Sequence, residues 1–148
     1  MQRLKCNAVA GYSALPLIYN EEVTMKFNWE MPKTLRPFYR QELNAYQGCL
    51  RKEDLQKAWA HLERAHILGQ PYPIEHTAVH FKMLQFGMQT RNMKEVLGQI
   101  PRLLVGGIKS WAGEIPVGNT GGANVPALKP MPIPNDLQAI IRQASPNS

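Results

Sequence analysis

The sequence predicts a mainly α-helical fold, in which about four helices form antiparallel hairpins and an irregular C-terminal segment wraps around them. Apolar residues recur at three- and four-residue steps from residue 37 to residue 104, which is the spacing of one helix face. Residues that start and stop helices divide this stretch at short intervals. Beyond residue 106, glycine and proline are too frequent for long helices or paired strands.

The first hairpin is predicted between residues 37 and 69. Pro37 suits a first helical turn, and the helix that follows runs to about Leu50. Asp54 opens a second helix, and Gly69 is expected to end it in a left-handed conformation. The apolar residues that define the two helices are Phe38, Leu43, Tyr46 and Leu50 in the first, and Leu55, Ala58, Leu62 and Ala65 in the second.

The second hairpin is predicted between residues 73 and 104. Pro73 is preset for the first position of a third helix, and Glu75 lies favourably near the positive end of that helix. Asn92 and Glu95 have the spacing of a capping box for a fourth helix. Pro101 is expected to kink this helix or end it early. The apolar residues are Val79, Met83, Leu84 and Met88 in the third helix, and Val96, Leu97, Ile100, Leu103 and Leu104 in the fourth.

The two hairpins share a pattern that indicates an internal repeat. Small or apolar residues step by four and then three in the second helix, and the same steps occur 38 residues later in the fourth, at Ala58, Leu62, Ala65, Val96, Ile100 and Leu103. This pattern resembles the second helix of a tetratricopeptide repeat, whose usual period is about 34 residues. The tryptophan and Leu-Gly positions typical of the first helix do not occur, so the sequence predicts tetratricopeptide-like packing only.

At 148 residues the chain is expected to form one domain over residues 25–142. Its C-terminal segment 107–142 is predicted to wrap the helices and to close with a short helical turn from Asp136 to Arg142. Residues 1–24 are interpreted as a disordered extension or a mis-assigned start, and residues 143–148 as a flexible tail. The apolar residues available for wrapping are Ile115, Val117, Val125, Leu128, Met131 and Ile133.

Composition argues against several classes of function. Seventeen Lys and Arg against eleven Asp and Glu give a formal charge of +6. The basic residues are scattered along the sequence and do not form the concentrated basic surface that binds a phosphate backbone. Nucleic-acid binding is therefore not favoured. No apolar run approaches the ~18 residues of a membrane span. The two cysteines form no CxxC pair, which indicates neither a disulfide framework nor a thiolate zinc site and favours a cytoplasmic protein.

The candidate site rests on four histidines, His61, His66, His76 and His80, which all fall within one predicted hairpin. His76 and His80 lie about 40° apart on one helix face, the i,i+4 arrangement that lets two imidazoles share a metal ion. His61 and His66 lie about 140° apart, so only one of them is expected to join the pair. Glu63 or Glu75 would add a carboxylate or orient a ligand.

The alternative is that these histidines are structural, with imidazoles that bond to backbone or to a neighbouring glutamate. The HxxxH spacing lacks the glutamate of the HExxH motif, so hydrolytic zinc chemistry has no direct support. The glycine-rich stretch from Gly118 to Asn124 lacks the Gly-Lys-Ser/Thr ending of a phosphate-binding loop, and a turn is the preferred interpretation.

The string His61-Leu-Glu-Arg-Ala-His66 resembles the signature of an uncharacterised bacterial family, domain of unknown function 3703. The "HTAVH" string with His76 and His80, the Gly118–Gly121 and Ala123–Val125 stretches and Pro130-Met-Pro-Ile-Pro134 resemble its other recurring elements. The resemblance covers about residues 30–142 and carries no activity. It implies that the histidine hairpin and the Asn/Gly loop belong to one unit, with Asn119, Thr120 and Asn124 folded back toward the histidines.

Three hypotheses follow from these observations. The leading one is a small helical protein that binds a transition-metal ion, or a metal-containing ligand, through His76, His80 and either His61 or His66. The second is a tetratricopeptide-like module that binds a protein partner in a groove between helix pairs and uses its histidines structurally. The third is an enzyme with a histidine general base, which requires a pocket joining His66 or His76 to Asn119 or Asn124.

Overall fold

The computed structural model describes residues 28–109 and 116–144, and the regular secondary structure within them is helical. The helices are α1 (Arg36–Leu50), α2 (Leu55–Gly69), α3 (Pro73–Gln89), α4 (Met93–Lys109) and α5 (Asn135–Ala144). The mainly α prediction is therefore confirmed. The prediction for residues 1–24 lies outside the described residues, as does that for most of the predicted tail 143–148, of which residues 143 and 144 belong to α5. None of the described helices is long and apolar enough to cross a membrane.

Consecutive helices pack as two hairpins, α1 with α2 and α3 with α4, and the hairpins meet through α2 and α3. Their common core contains Leu62, Val79 and Met83, which are fully buried. At the α1–α3 contact, Tyr39 donates a hydrogen bond from its hydroxyl to the backbone oxygen of Glu75, at 3.0 Å.

The expected left-handed helix end at Gly69 was wrong. Gly69 is the last residue of α2, and the next residue, Gln70, keeps a right-handed helical backbone. A side chain at Gly69 would lie 3.2 Å from the Tyr39 ring and 3.4 Å from Glu75. The glycine therefore permits the close approach of three helices, which local sequence does not reveal.

The turns of the two hairpins show the 38-residue repeat directly. Glu53 and Arg91 both adopt a left-handed backbone, with φ of 59° and 56°. The next residue in each turn is a helix cap, whose side-chain oxygen accepts a hydrogen bond from the backbone amide three residues further along the chain. The cap Asp54 accepts from the Lys57 amide at 3.3 Å, and its counterpart Asn92 accepts from the Glu95 amide at 3.2 Å.

Helix α4 differs most from expectation. It continues through Pro101 to Lys109, although proline removes one backbone hydrogen bond. The apolar face predicted to be its core side is largely turned outward, since Leu97 and Leu104 are 63% and 71% exposed. The buried side instead carries Glu95 and Gln99. This orientation is stable because backbone groups of the segment 116–134 form hydrogen bonds with the buried polar side chains.

The segment 116–134 lies against the helices, and Ile133 is buried in the core while Val117 packs at its edge. Two polar contacts tie the following α5 to the hairpins. Asp136 accepts from Arg64 at 2.6 Å, and the backbone oxygen of Ala144 accepts from the Thr34 hydroxyl at 2.9 Å. The predicted short turn is thus a helix of ten residues that reaches Ala144.

Cys49 of α1 is fully buried and disulfide-bonded. The expectation of no disulfide was therefore wrong, because spacing along the chain does not show which sulfur atoms meet in space.

Candidate metal centre

Three histidines from two helices converge on one point. His66 is near the end of α2, while His76 and His80 are one turn apart on α3. Their Nε2 atoms form a small triangle, with sides of 2.8 Å between His66 and His76, 3.1 Å between His66 and His80, and 3.2 Å between His76 and His80. Of the described residues, these three form the group whose donor atoms are close enough to hold a metal ion together.

Hydrogen bonds on the opposite ring nitrogen fix the protonation of two of these rings. The Nδ1 of His66 is 2.8 Å from the backbone oxygen of Asn119. A carbonyl oxygen only accepts, so this Nδ1 carries the proton and donates it. The Nδ1 of His80 is 2.7 Å from Oε1 of Gln99. It likewise donates, and both rings are left with an unprotonated Nε2.

The orientation of the Gln99 amide is fixed by its own partners. Its Nε2 donates to the Glu95 carboxylate and to the backbone oxygen of Gly121, at 2.9 Å for the latter. Both of these partners accept only, so the amide nitrogen faces them and the amide oxygen faces His80. The assignment of the His80 tautomer therefore does not depend on His80 alone.

The consequence is an excess of lone pairs at the centre. A neutral His76 can point one N–H toward the other two rings, but the His66 and His80 Nε2 atoms remain two acceptors at 3.1 Å. A hydrogen bond shared among the rings therefore satisfies only some of the nitrogen lone pairs. A cation placed between the three nitrogens would satisfy all of them.

Burial keeps these rings neutral. The pKa of His66 is lowered well below its usual value, mainly by burial and then by the charges of His76 and His80. Burial, followed by the charge of His80, lowers the pKa of His76 to about 3. Burial lowers the pKa of His80 to about 4, against the opposing effect of its bond to Gln99. Neutral imidazole is the form that binds metals.

The segment 116–134 forms one wall of the centre. Gly121 adopts a left-handed backbone with φ of 82°, and a Cβ there would lie 2.6 Å from Cδ2 of His66. The glycine therefore lets the chain pack directly on the imidazole ring. Asn119 holds the turn together, since its side-chain nitrogen donates to the backbone oxygens of Pro126 and Lys129, each at 2.8 Å, and its oxygen accepts from the Gly121 amide at 2.9 Å.

Glu95 connects α4 to the same wall. Its carboxylate accepts from the Ala123 amide, at 3.0 and 3.2 Å, in addition to Gln99. The capping box predicted at Asn92 is therefore only half formed, because the Asn92 amide donates to Gly87 instead of Glu95, at 2.8 Å. The carboxylate that would have closed the box supports the histidine centre through Gln99.

A family model described as "Protein of unknown function (DUF3703)" matches residues 33–141, a range that contains the three histidines, Gln99 and the wall segment. The chain belongs to this family. No curated protein and no solved structure matches it.

The fourth histidine of this DUF3703 chain lies elsewhere. The Nδ1 of His61 is 2.7 Å from Oε2 of Glu42 on α1, and the other oxygen of that carboxylate accepts from Nε of Arg64 at 2.8 Å. Arg64 continues to Asp136 on α5. His61 thus takes part in a polar network between α1, α2 and α5, the structural role that was the alternative for all four histidines.

The structure does not bring the predicted carboxylates into the triangle. Glu63 lies near Trp59 and Thr120, and burial raises its pKa while these two neighbours act in the opposite direction. Glu75 lies beside Tyr39, whose pKa is raised by burial and then by the Glu75 charge. Of the predicted wall residues, Asn119 contacts the centre through its backbone oxygen.

Asn124, the remaining predicted site residue, is exposed on a separate cleft of about 530 Å³. The lining of that cleft includes Trp59, Phe86 and Glu95 and none of the three histidines. The enzyme hypothesis required a pocket shared by a cluster histidine and Asn119 or Asn124. In this DUF3703 protein Asn119 is bonded within the wall, and Asn124 faces a different cleft.

Sequence reasoning missed Gln99 and Arg102, and it included Gly121 in the loop of the site without the close contact to His66. Arg102 donates to the backbone oxygens of Gly122 and Val125, at 3.1 and 2.7 Å, and anchors the wall to α4. A signal did exist in α4, because Glu95, Gln99 and Arg102 follow the i, i+4, i+7 spacing of one face. The stronger apolar spacing beside it directed the prediction to the wrong face.

Proposed function

We propose that this DUF3703 protein binds one transition-metal ion through Nε2 of His66, His76 and His80. The observation that carries the proposal is the pair of unprotonated Nε2 atoms of His66 and His80 at 3.1 Å, with His76 completing the triangle. Two acceptors at this distance repel each other unless a positive charge lies between them.

The dimensions of the triangle suit a metal ion. Imidazole nitrogens bind Zn²⁺ at about 2.0–2.1 Å, so three of them in tetrahedral positions lie ~3.3–3.4 Å apart. The sides of 2.8, 3.1 and 3.2 Å need only a small outward movement to reach this spacing. An all-imidazole set suits zinc, copper, iron or nickel rather than calcium or magnesium, which prefer oxygen ligands.

The surroundings fit the way metal-binding histidines are usually held. Such histidines donate their second ring N–H to a carboxylate, a carbonyl or water, which fixes the ring and its tautomer. His66 uses a backbone carbonyl, and His80 uses the amide oxygen of Gln99, whose amide nitrogen donates to Glu95. Two of the three ligands, His66 and His80, are therefore supported from the wall and from α4 as well as from their own helices.

The decisive experiment is metal analysis of the full chain, produced without a histidine tag, together with melting curves. We expect one ion per chain after exposure to Zn²⁺, Ni²⁺, Cu²⁺ or Fe²⁺, and a rise in melting temperature because the ion binds only the folded state. His80→Ala should abolish both effects, while the matched variant His61→Ala should keep both. Sub-stoichiometric metal and an unchanged melting temperature with all four ions would remove the proposal.

A second candidate function is binding of a protein partner, and the outward face of α4 favours it. Four apolar side chains repeat at helical spacing on this face and are exposed, namely Met93, Leu97, Ile100 and Leu104. An exposed apolar stripe of this kind is typical of an interaction surface. If His76→Ala only lowers stability while Leu97→Asp abolishes a partner interaction, this function is supported over metal binding.

A further inference from the structure

The structure assigns the metal proposed above an open coordination position, and we infer that this position takes a small exogenous anion. This inference rests on the proposed function, and it names the class of ligand that the site would accept. A structural zinc ion has four protein ligands, whereas a site with three protein ligands leaves a position for water or substrate.

The charge of the site points to an anion. All three donors are neutral imidazoles, so a divalent ion would keep its whole charge in a place where His66 and His80 are buried. An uncompensated buried charge is costly. The carboxylate that hydrogen bonds connect to the ligands is that of Glu95, through Gln99. It already accepts from the Gln99 side chain and the Ala123 amide.

Arg102 adds to the positive potential. Its guanidinium is fixed by the backbone oxygens of Gly98, Gly122 and Val125, which carry no charge. The positive charge acts on the centre, where it adds to the effect of burial in lowering the pKa of His66 and His80, and the Glu95 carboxylate offsets part of it. A bound anion would be stabilised by the positive charges of both the metal ion and Arg102. We expect the anion to approach from the side of His76, which is only partly buried, whereas His66 and His80 are buried.

The groups that hold the ligands keep the metal electron-poor. His66 and His80 donate to a carbonyl and an amide oxygen, both of them neutral. A carboxylate in these places would make the imidazoles more basic and better electron donors. Neutral partners therefore favour binding of an added anionic ligand.

The competing source of a fourth donor within the described residues is Glu75, the residue before His76. Its Oε2 is buried and has no hydrogen-bond partner among the described residues. If this carboxylate turned to the metal, the position would be filled by the protein. The test therefore includes Glu75→Gln beside the unaltered chain.

The experiment uses Co²⁺ bound to the full chain, because its visible absorption bands report the number and type of ligands. Azide and thiocyanate are titrated at constant ionic strength, with perchlorate as the weakly coordinating control. We expect a saturable change in the bands at one anion per ion, in the millimolar range, and no change with perchlorate. Glu75→Gln and His61→Ala should behave as the unaltered chain does.

Two results would overturn the inference while leaving metal binding intact. One is stoichiometric Co²⁺ with bands that neither azide nor thiocyanate alters. The other is anion binding that appears only in Glu75→Gln, which would mean that the protein fills the position. If Zn²⁺ binds but Co²⁺ does not, the inference is also lost and the proposed function stands. If Co²⁺ and the four ions tested above all fail to bind, the proposed function is removed together with this inference.

Discussion

The Nε2 atoms of His66 and His80 lie 3.1 Å apart although the other nitrogen of each ring donates a hydrogen bond to an acceptor that cannot donate back. The rings are thus locked with their lone pairs directed to a common point. Gln99, which is fully buried, and the Asn119 backbone oxygen impose this arrangement from outside the triangle. The support around the histidines therefore determines the chemistry at the centre.

Gln99→Leu should weaken metal binding while keeping the three ligands. The substitution removes the acceptor for His80 Nδ1, and loss of such an outer partner typically costs about 10–100-fold in metal affinity. It also leaves the Glu95 carboxylate without one donor, so the free energy of unfolding should fall by about 1–3 kcal/mol. Competition with a chelating dye measures the affinity, and urea denaturation measures the stability. The exposed Gln85→Leu on α3 is the matched control, and an equal loss of affinity there would contradict the interpretation.

Gly121→Ala should damage the centre through the backbone. Its φ of 82° is unfavourable for alanine, and the added Cβ would lie 2.6 Å from the His66 ring. We expect destabilisation by more than about 1 kcal/mol and a loss of bound metal, measured by thermal unfolding and metal analysis.

Gly48→Ala is the control for that substitution. Gly48 lies inside α1, and a Cβ there would meet no atom within 4 Å. Alanine should stabilise the helix by about 0.5–1 kcal/mol because it lowers the entropy of the unfolded chain. If both alanine variants behaved alike, the close approach of Gly121 to His66 would not be the reason for the glycine.

Acid should destabilise the metal-free protein through the three histidines. Their folded-state pKa values are lowered, to about 3 for His76 and about 4 for His80. Between these values and about 6.5, the unfolded chain binds protons that the folded chain does not, so stability is fully present above pH ~6.5 and is lost as the pH falls toward 4. The slope should approach about 1.4 kcal/mol per pH unit for each titrating histidine.

Denaturant unfolding at a series of pH values measures this slope. In the variant His76→Ala the slope should decrease, because one group no longer takes up a proton on unfolding. Bound metal should steepen the acid dependence, since protons compete for the same nitrogens. Stability that is flat between pH 6.5 and 4 would show that the rings are accessible to protons in the folded state.

Glu42→Gln should separate the fourth histidine from the centre. The Glu42 carboxylate accepts from His61 and Arg64 at 2.7 and 2.8 Å in a mostly buried setting. Loss of its charge should cost about 1.5–3 kcal/mol in the free energy of unfolding, with metal stoichiometry unchanged. Glu30→Gln, which affects a 3.4 Å exposed pair with Arg36, should cost less than about 1 kcal/mol. Loss of metal in Glu42→Gln would place His61 in the functional unit.

Local chemistry in the sequence determined the helices. Asp54, Pro73 and Asn92 mark helix starts because their side chains or ring geometry act on adjacent backbone, and they do so without help from the rest of the fold. The pairing of His76 with His80 is equally local, since one helical turn separates them. The 38-residue repeat was also visible, because it depends on the order of residues alone.

Only the tertiary structure decided which second-helix histidine joins that pair, which face of α4 is buried and why residue 121 is glycine. His61 and His66 are equally good ligands by type, and the packing of α2 against α1 and α3 separates them. Glu95 and Gln99 are buried because a distant segment supplies their hydrogen-bond partners. Helix-forming tendencies act over a few neighbouring residues, whereas the convergence of three imidazoles depends on contacts between segments up to 53 positions apart.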